Sequence, residues 1–286
     1  MSRARNRVTG AAMVAGIVGH PIAHSMSPVL HNAWLEAAGL NGLYVPFSPG
    51  ETGLARFVEG LRGGVIRGVN VTIPYKEQAL ALADSASDLA RLAGAANLLL
   101  FSPDGGVFTD NTDGPGMLLA LKAQAGYDPT TGPAVVLGAG GAARGAAAAL
   151  KLAGAPAVRI VNRTLARAEA IADDLGAPVT AHAEADMAGA LEGATLIVNA
   201  TSLGLGGGPG PAANFAAAPG AVVMDMVYKP LRTDFLERAK AAGHPTVDGL
   251  EMLVRQAVPS FEAFFGQAPP DDVDVRALAL AHLGVK

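Results

Sequence analysis

The sequence predicts an α/β protein of two domains, and three observations carry that prediction. Short apolar runs of strand length alternate with helix-like segments over the first third of the chain, the pattern of a mostly parallel sheet. Residues 134–150 read AVVLGAGGAARGAAAAL, an apolar strand, a glycine cluster and an alanine-rich helix in immediate succession. The 286 residues are enough for two domains of ordinary size.

Taken in order, the pattern predicts a first strand over 13–18, a polar loop over 19–27 (GHPIAHSMS) and a helix over 28–38 closed by Gly39. A strand over 43–47, a short helix over 53–60, a strand over 68–73 and a helix from Pro74 that carries Lys76 and Glu77 follow. Residues 83–92 read as helix, and 95–101 and 106–109 as two strands joined by the Pro103–Asp104–Gly105 turn. The stretch DNTDG at 110–114 leads into a long helix over 115–124, the expected connector to a second domain. Beyond the glycine cluster come a strand over 158–161, a helix over 165–175 and a strand over 195–199, then a glycine- and proline-rich loop at 204–211. A strand over 221–226 and helices over 234–242, 250–265 and 273–282 close the chain.

Composition narrows the function. Half the residues are hydrophobic, only 16% are charged and the net charge is −4, so nothing draws the chain to nucleic acid or to an anionic membrane. The absence of cysteine removes disulfides, thiolate nucleophiles and cysteine–metal sites together. Arg3, Arg5 and Arg7 precede the apolar run 11–18 as in a secretory leader, but the run is short and no small-residue cleavage site follows. A frayed N-terminus entering a buried strand, in a soluble cytoplasmic protein, is the expectation.

Strand, glycine turn and helix together are the context of a dinucleotide site. Gly138 makes the tight turn, Gly140 lets the backbone approach a pyrophosphate, and Ala143 permits close helix–strand packing. Ala139, Gly141 and Ala142 complete the loop, where free N–H groups and the positive helix end suit phosphate. An ordinary βα turn would share the pattern, but the next strand ends in Asn162–Arg163–Thr164 with no carboxylate. A cation and a hydroxyl there suit a 2′-phosphate, so the reading is NADP rather than NAD.

Hydride transfer to a ketone needs a group that supplies or removes the alcohol proton. Lys76 is a candidate, because a cation in the first turn of a helix opposes the dipole; the alternative is a solvated lysine. Asp113, followed by Gly114 and Pro115, is both a candidate and a good helix N-cap. Asn70, Thr72 and Asn97 sit at strand ends, where open α/β sheets place ligand contacts or satisfy turn backbone. Ser25 and Ser27 offer two hydroxyls to a small carboxylate, although Ser27 before Pro28 also reads as an N-cap and N1 pair. His20, His24 and His31 do not have metal-ligand spacing.

Nine motifs then converge: GHPIAHSMSPVLHNA at 19–33, GVNVTIPYKE at 68–77, GAANLL at 94–99, DNTDGPG at 110–116, LGAGGAAR at 137–144, VNRT at 161–164, NATSLGL at 199–205, DMVYKPLRTDFL at 225–236 and GLEMLVRQA at 249–257. In this order and spacing the chain resembles the shikimate dehydrogenase family over nearly its whole length. The resemblance implies an N-terminal α/β substrate-binding domain (1–113 plus 249–286) and a Rossmann-like NADP-binding domain (114–248), with the C-terminal helices packing back on the first. It implies that Lys76 and Asp113 form the catalytic pair and that Ser25 and Ser27 hold the substrate carboxylate, with Tyr228 near it. Thr72, Asn97 and Gln256 would meet substrate hydroxyls. Asn162, Arg163 and Thr164 would recognise the 2′-phosphate, with Thr201, Met226 and Gly249 as further coenzyme contacts. Gly114 and Gly249 are the expected hinges.

The expected activity is NADPH-dependent, reversible reduction of 3-dehydroshikimate to shikimate, with a small-molecule partner, no nucleic acid or membrane, no metal, and a homodimer left open. Five positions depart from the family pattern: Leu98 for Thr, Thr109 for Gly, Leu205 for Met and Phe264–Phe265 for Trp–Thr. The rivals are a quinate or aminoshikimate enzyme of the same family and a non-catalytic NADP-sensing module. Glutamyl-tRNA reductase, which shares the glycine loop, needs a cysteine that this chain does not have.

Overall fold

A computed structural model describes residues 8–284; the basic stretch at Arg3, Arg5 and Arg7 lies outside them. The chain divides into two compact units. One holds the residues up to Arg91, Ala95–Thr112 and the chain from Gln256 onward; the other holds Leu92–Gly94 and Asp113–Arg255.

The first unit starts with β1 (Met13–Val18), α1 (Ser27–Ala37), β2 (Gly42–Phe47), α2 (Leu54–Leu61), β3 (Ile66–Val71) and α3 (Lys76–Leu82). It continues through β4 (Ser85–Ala86), α4 (Asp88–Ala93), β5 (Leu98–Phe101) and β6 (Val107–Asp110). The sheet order is β2-β1-β3-β5-β6-β4. All strands run parallel except β5, which forms an antiparallel hairpin with β6 and pairs antiparallel with β3. Val18, Val69, Val71 and Leu99 from the sheet pack with Leu54, Val58 and Tyr75 into a core beneath α2 and α3.

The second unit contains α5 (Asp113–Ala125), β7 (Ala134–Leu137), α6 (Gly141–Leu152), β8 (Val158–Asn162), α7 (Leu165–Leu175), β9 (Val179–Ala183) and α8 (Met187–Leu191). It then has β10 (Leu196–Asn199), β11 (Val222–Asp225), α9 (Asp234–Ala241) and β12 (Thr246–Val247). Its sheet is wholly parallel, in the order β12-β11-β10-β7-β8-β9, with β7 and β10 central. Counted from β7 this is the doubly wound dinucleotide-binding order, whose topological switch falls between β7 and β10. β7 and β10 are buried along their full length, as central parallel strands must be.

Helix α10 (Gly249–Phe265) crosses the division between Arg255 and Gln256, and α11 (Val275–His282) follows it. The C-terminal part packs on the first sheet. Ser260 accepts a hydrogen bond from Asn70 of β3 at 2.8 Å. Phe261 and Phe264 join His31, Trp34 and Tyr44 in one aromatic cluster.

Three local expectations are corrected. Residues 83–92 are not one helix: Ser85–Ala86 pairs with β6, and the helix starts only at Asp88, because ladder bonds there outweigh local helix propensity. Ser27 is not a capping residue; α1 begins at Ser27 with Met26 at the N-cap and no side-chain cap bond. Asp113 does not precede the connector helix but opens it. Among the described residues no helix is long and apolar enough to cross a membrane.

Candidate active site

In the first unit the sequence-predicted substrate residues leave one edge of the sheet. β1 and β3 lie side by side and end together, Val18 opposite Val71. β2 lies on the far side of β1, so the chain order switches at the β1–β3 boundary, where open α/β sheets bind ligands. The loop after β1 carries Ser25 and runs into Ser27, the first residue of α1, and the turn after β3 carries Thr72 and runs into Lys76, the first residue of α3. Gly19 is needed at this crowded exit: a Cβ there would lie 2.5 Å from Thr72 Cγ2.

Because β5 runs antiparallel to β3, its start meets the end of β3 at the same edge. Val71 N–H donates to the Asn97 carbonyl at 2.8 Å, and Asn97 N–H donates to the Asp110 carbonyl at 3.1 Å. The first turn of α3 is fastened there too, since Ala96 N–H donates to the Lys76 carbonyl at 2.9 Å. β6 ends at Asp110, and Asn111 and Thr112 lead directly to Asp113.

A buried polar network underlies this edge. Asn97 Oδ1 accepts from Thr112 N–H at 2.7 Å, and Asn97 Nδ2 lies 2.9 Å from Thr112 Oγ1 and 3.5 Å from Gln256 Oε1. Tyr44 O–H donates to Asn70 Oδ1 at 2.8 Å, and Asn70 Nδ2 donates to Ser260 Oγ and to the Asn97 carbonyl. Burial pushes the Tyr44 hydroxyl well above its ordinary pKa, a rise partly offset by a hydrogen bond with Ser27. The chain Ser27–Tyr44–Asn70–Asn97 thus links the two serines to the hydroxyl-binding candidates through neutral groups. Ser25 Oγ accepts from Ser27 N–H at 3.3 Å, which sets the serine loop. Lys76, Asp113 and Ser25 are half-buried, while Ser27, Asn97 and Gln256 are buried.

The departures from the family pattern are accommodated locally. Thr109 is fully buried, and its hydroxyl donates to the Leu98 carbonyl at 2.7 Å across the β5–β6 hairpin. Phe264 and Phe265 fill the aromatic cluster with His31, Trp34, Tyr44 and Phe261. Leu205 is exposed in a 3-10 turn.

In the second unit Gly138 has φ +108°, a conformation that side chains rarely adopt. A Cβ on it would lie 3.0 Å from Thr201 Cγ2 and 3.2 Å from the Ala200 carbonyl oxygen. The loops after β7 and β10 therefore meet at the switch point. α6 begins at Gly141 with Gly140 at its N-cap and no side-chain cap bond. A Cβ at Gly140 or Gly141 would meet nothing within 4 Å, and Gly140 and Gly141 are exposed, as is Ala142, whereas Ala139 is buried. Open backbone at an uncapped helix start fits a pyrophosphate. At the end of β8, Asn162 Nδ2 donates to the Thr164 carbonyl at 2.9 Å, and Arg163 and Thr164 are exposed. Arg167, in the first turn of α7, places a second exposed cation four residues after Arg163; the i,i+4 spacing was its only sequence signal.

Thr201 lies in the loop after β10, and Met226 and Tyr228 follow β11. Burial raises the Tyr228 pKa, so its O–H stays a donor. Gly249 is buried, and a Cβ on it would lie 2.5 Å from the Met226 carbonyl oxygen, so close backbone approach accounts for glycine at this position. Among the described residues no group of three or more His, Cys, Asp or Glu is placed to hold a metal ion.

Residues 17–99 match the shikimate dehydrogenase substrate binding domain, 121–204 match shikimate/quinate 5-dehydrogenase and 249–279 match the shikimate 5′-dehydrogenase C-terminal domain. A curated shikimate dehydrogenase (NADP(+)) of Caulobacter vibrioides is 63% identical over 98% of this chain and 99% of its own length. The crystal structure of shikimate 5-dehydrogenase from Thermus thermophilus in complex with NADP(H) and shikimate is 38% identical, with a TM-score of 0.82 over 95% of this chain and 99% of that one. The quinate dehydrogenase of Corynebacterium glutamicum in complex with NAD is 27% identical, with a TM-score of 0.85 over 94% and 99% of the two chains. The chain belongs to the shikimate dehydrogenase family.

Proposed function

We propose that the protein catalyses the reversible, NADPH-dependent reduction of 3-dehydroshikimate to shikimate. The observation that carries this reading is the edge of the first sheet, where Ser25, Ser27, Thr72, Lys76 and Asn97 all leave strand ends or the loops that follow them. A relative named shikimate dehydrogenase (NADP(+)) that matches almost end to end supports it.

In this reading the first unit binds substrate and the second binds NADP. Gly138, Ala139, Gly140, Gly141 and Ala142 admit the pyrophosphate, and Asn162, Arg163 and Thr164 hold the 2′-phosphate. Thr201, Met226 and Gly249 shape the nicotinamide end. NADPH, when bound, supplies the hydride. Lys76, as an ammonium, stabilises the alkoxide that develops at the ketone oxygen and delivers its proton. Asp113 accepts from a substrate hydroxyl. Ser25 and Ser27 donate to the carboxylate, and Thr72, Asn97 and Gln256 fix the ring hydroxyls. A cytoplasmic setting belongs to this proposal.

Quinate oxidation with NAD is the second reading, because a structural neighbour is a quinate dehydrogenase solved with NAD. The Arg163–Thr164 strand end, with no carboxylate to bind a free 2′-hydroxyl, favours NADP and the first reading. Product analysis tests it: shikimate and NADP incubated with the protein should yield 3-dehydroshikimate by mass spectrometry. Failure to form that ketone would remove the proposal.

A further inference from the structure

Asp225 is a fully buried carboxylate to which the proposed reaction gives no role. It ends β11 directly opposite Asn199, the last residue of β10. Its Oδ1 accepts from Asn199 Nδ2 at 2.9 Å and from Val227 N–H at 3.0 Å, and its Oδ2 accepts from the Thr233 hydroxyl at 2.6 Å. Burial raises its pKa above the ordinary carboxylate value, a rise that these three donors only partly offset.

The amide of Asn199 is used at both ends. Nδ2 also donates to the Leu203 carbonyl at 3.2 Å, and Oδ1 accepts from Thr201 N–H at 3.0 Å and Thr201 O–H at 2.7 Å. A carboxylate accepts and cannot donate, so it fixes which way this amide faces. A reversed amide would set two oxygens against each other and leave Thr201 without its acceptor. Thr201 in turn stands where its methyl closes on the Gly138 turn. On the other side Val227 N–H is held by the same carboxylate, Met226 N–H donates to the Asn199 carbonyl at 3.0 Å, and the Met226 carbonyl abuts Gly249.

We propose that Asp225 is a positioning residue for the nicotinamide end of the coenzyme, acting through Asn199 on Thr201 and through Val227 on Met226. The inference rests on the NADP reading above. Asp225 touches neither coenzyme nor substrate; it sets the geometry of two loops at the switch point at once.

The test measures NADP binding by calorimetry together with steady-state constants for wild type, Asp225→Asn, Asp225→Ala and Thr201→Val. Asp225→Asn retains one acceptor oxygen for Asn199 and Val227, so it should weaken NADP binding severalfold; Asp225→Ala should weaken it by about tenfold or more. The KM for shikimate should stay within about twofold in both, a split that general loosening of the fold would not give. Thr201→Val should add little on top of Asp225→Asn, because the two changes break one relay. If Asp225→Ala does not fold, Asp225→Asn and the double variant decide the matter. Wild-type NADP affinity in Asp225→Asn, or additive effects with Thr201→Val, would overturn the inference alone. Absence of NADP binding by wild type would overturn the proposed function and this inference with it.

Discussion

The imidazole of His31 lies flat on the ring of Tyr44, with centroids 4.1 Å apart and planes 4° apart. Trp34 meets the same imidazole edge-on, and Phe261 and Phe264 close the remaining sides. Both ring nitrogens are buried without a hydrogen-bond partner among the described residues. Burial alone lowers the His31 pKa to about 3, so the folded protein keeps this histidine neutral. The stack presses on the Tyr44 ring, whose hydroxyl anchors Asn70.

The sign of the resulting pH dependence follows. The folded pKa lies below the ordinary value of 6.5, so the unfolded chain binds a proton that the folded chain refuses. The stabilisation is fully present above 6.5 and is lost as pH falls from there toward about 3, with a slope approaching about 1.4 kcal/mol per pH unit. His31→Phe should remove this component. Denaturation midpoints over that range should fall less steeply for the variant than for wild type; parallel curves would show that His31 protonation does not contribute.

Lys76→Ala should lower kcat by about two to four orders of magnitude, the range for loss of a general acid. The KM for shikimate should rise far less, since the serines, Asn97 and Gln256 remain. Near-normal turnover would remove Lys76 from the chemistry.

Arg163→Leu should raise the KM for NADP by about ten- to hundredfold, the equivalent of one charge-assisted hydrogen bond to phosphate. The KM for NAD should be unchanged, because NAD carries no 2′-phosphate. Equal losses with both coenzymes would place Arg163 outside phosphate recognition.

Gly138→Ala combines a backbone cost of about 1–3 kcal/mol for a side chain at positive φ with crowding against Thr201. A lower thermal midpoint and weaker NADP binding are expected together. A variant that matches wild type in both would mean that the turn relaxes without strain.

Some of this was legible in the chain. β1, β7 and α7 fall where their apolar runs place them, because buried strands and an alanine-rich helix leave strong local periodicity. β9 and β12 are short edge strands whose polar residues hide the alternation, and β4 forms only by pairing with β6. Motif residues such as Ser25, Lys76 and Arg163 can be named from sequence because the chemistry marks them. Tyr44, Ser260, Asn199 and Asp225 cannot be assigned their roles that way, since each acts through a partner brought to it by the sheets. Ser27 shows the converse: a serine before proline has a capping signature, yet its hydroxyl is drawn to Tyr44.

The most direct test of the account is the initial rate of coenzyme reduction, followed by the absorbance of the reduced nicotinamide, with shikimate or quinate as substrate and NADP or NAD as oxidant. The account predicts rapid turnover of shikimate with NADP and far slower turnover of the other three pairs. Quinate with NAD matching or exceeding shikimate with NADP would contradict it.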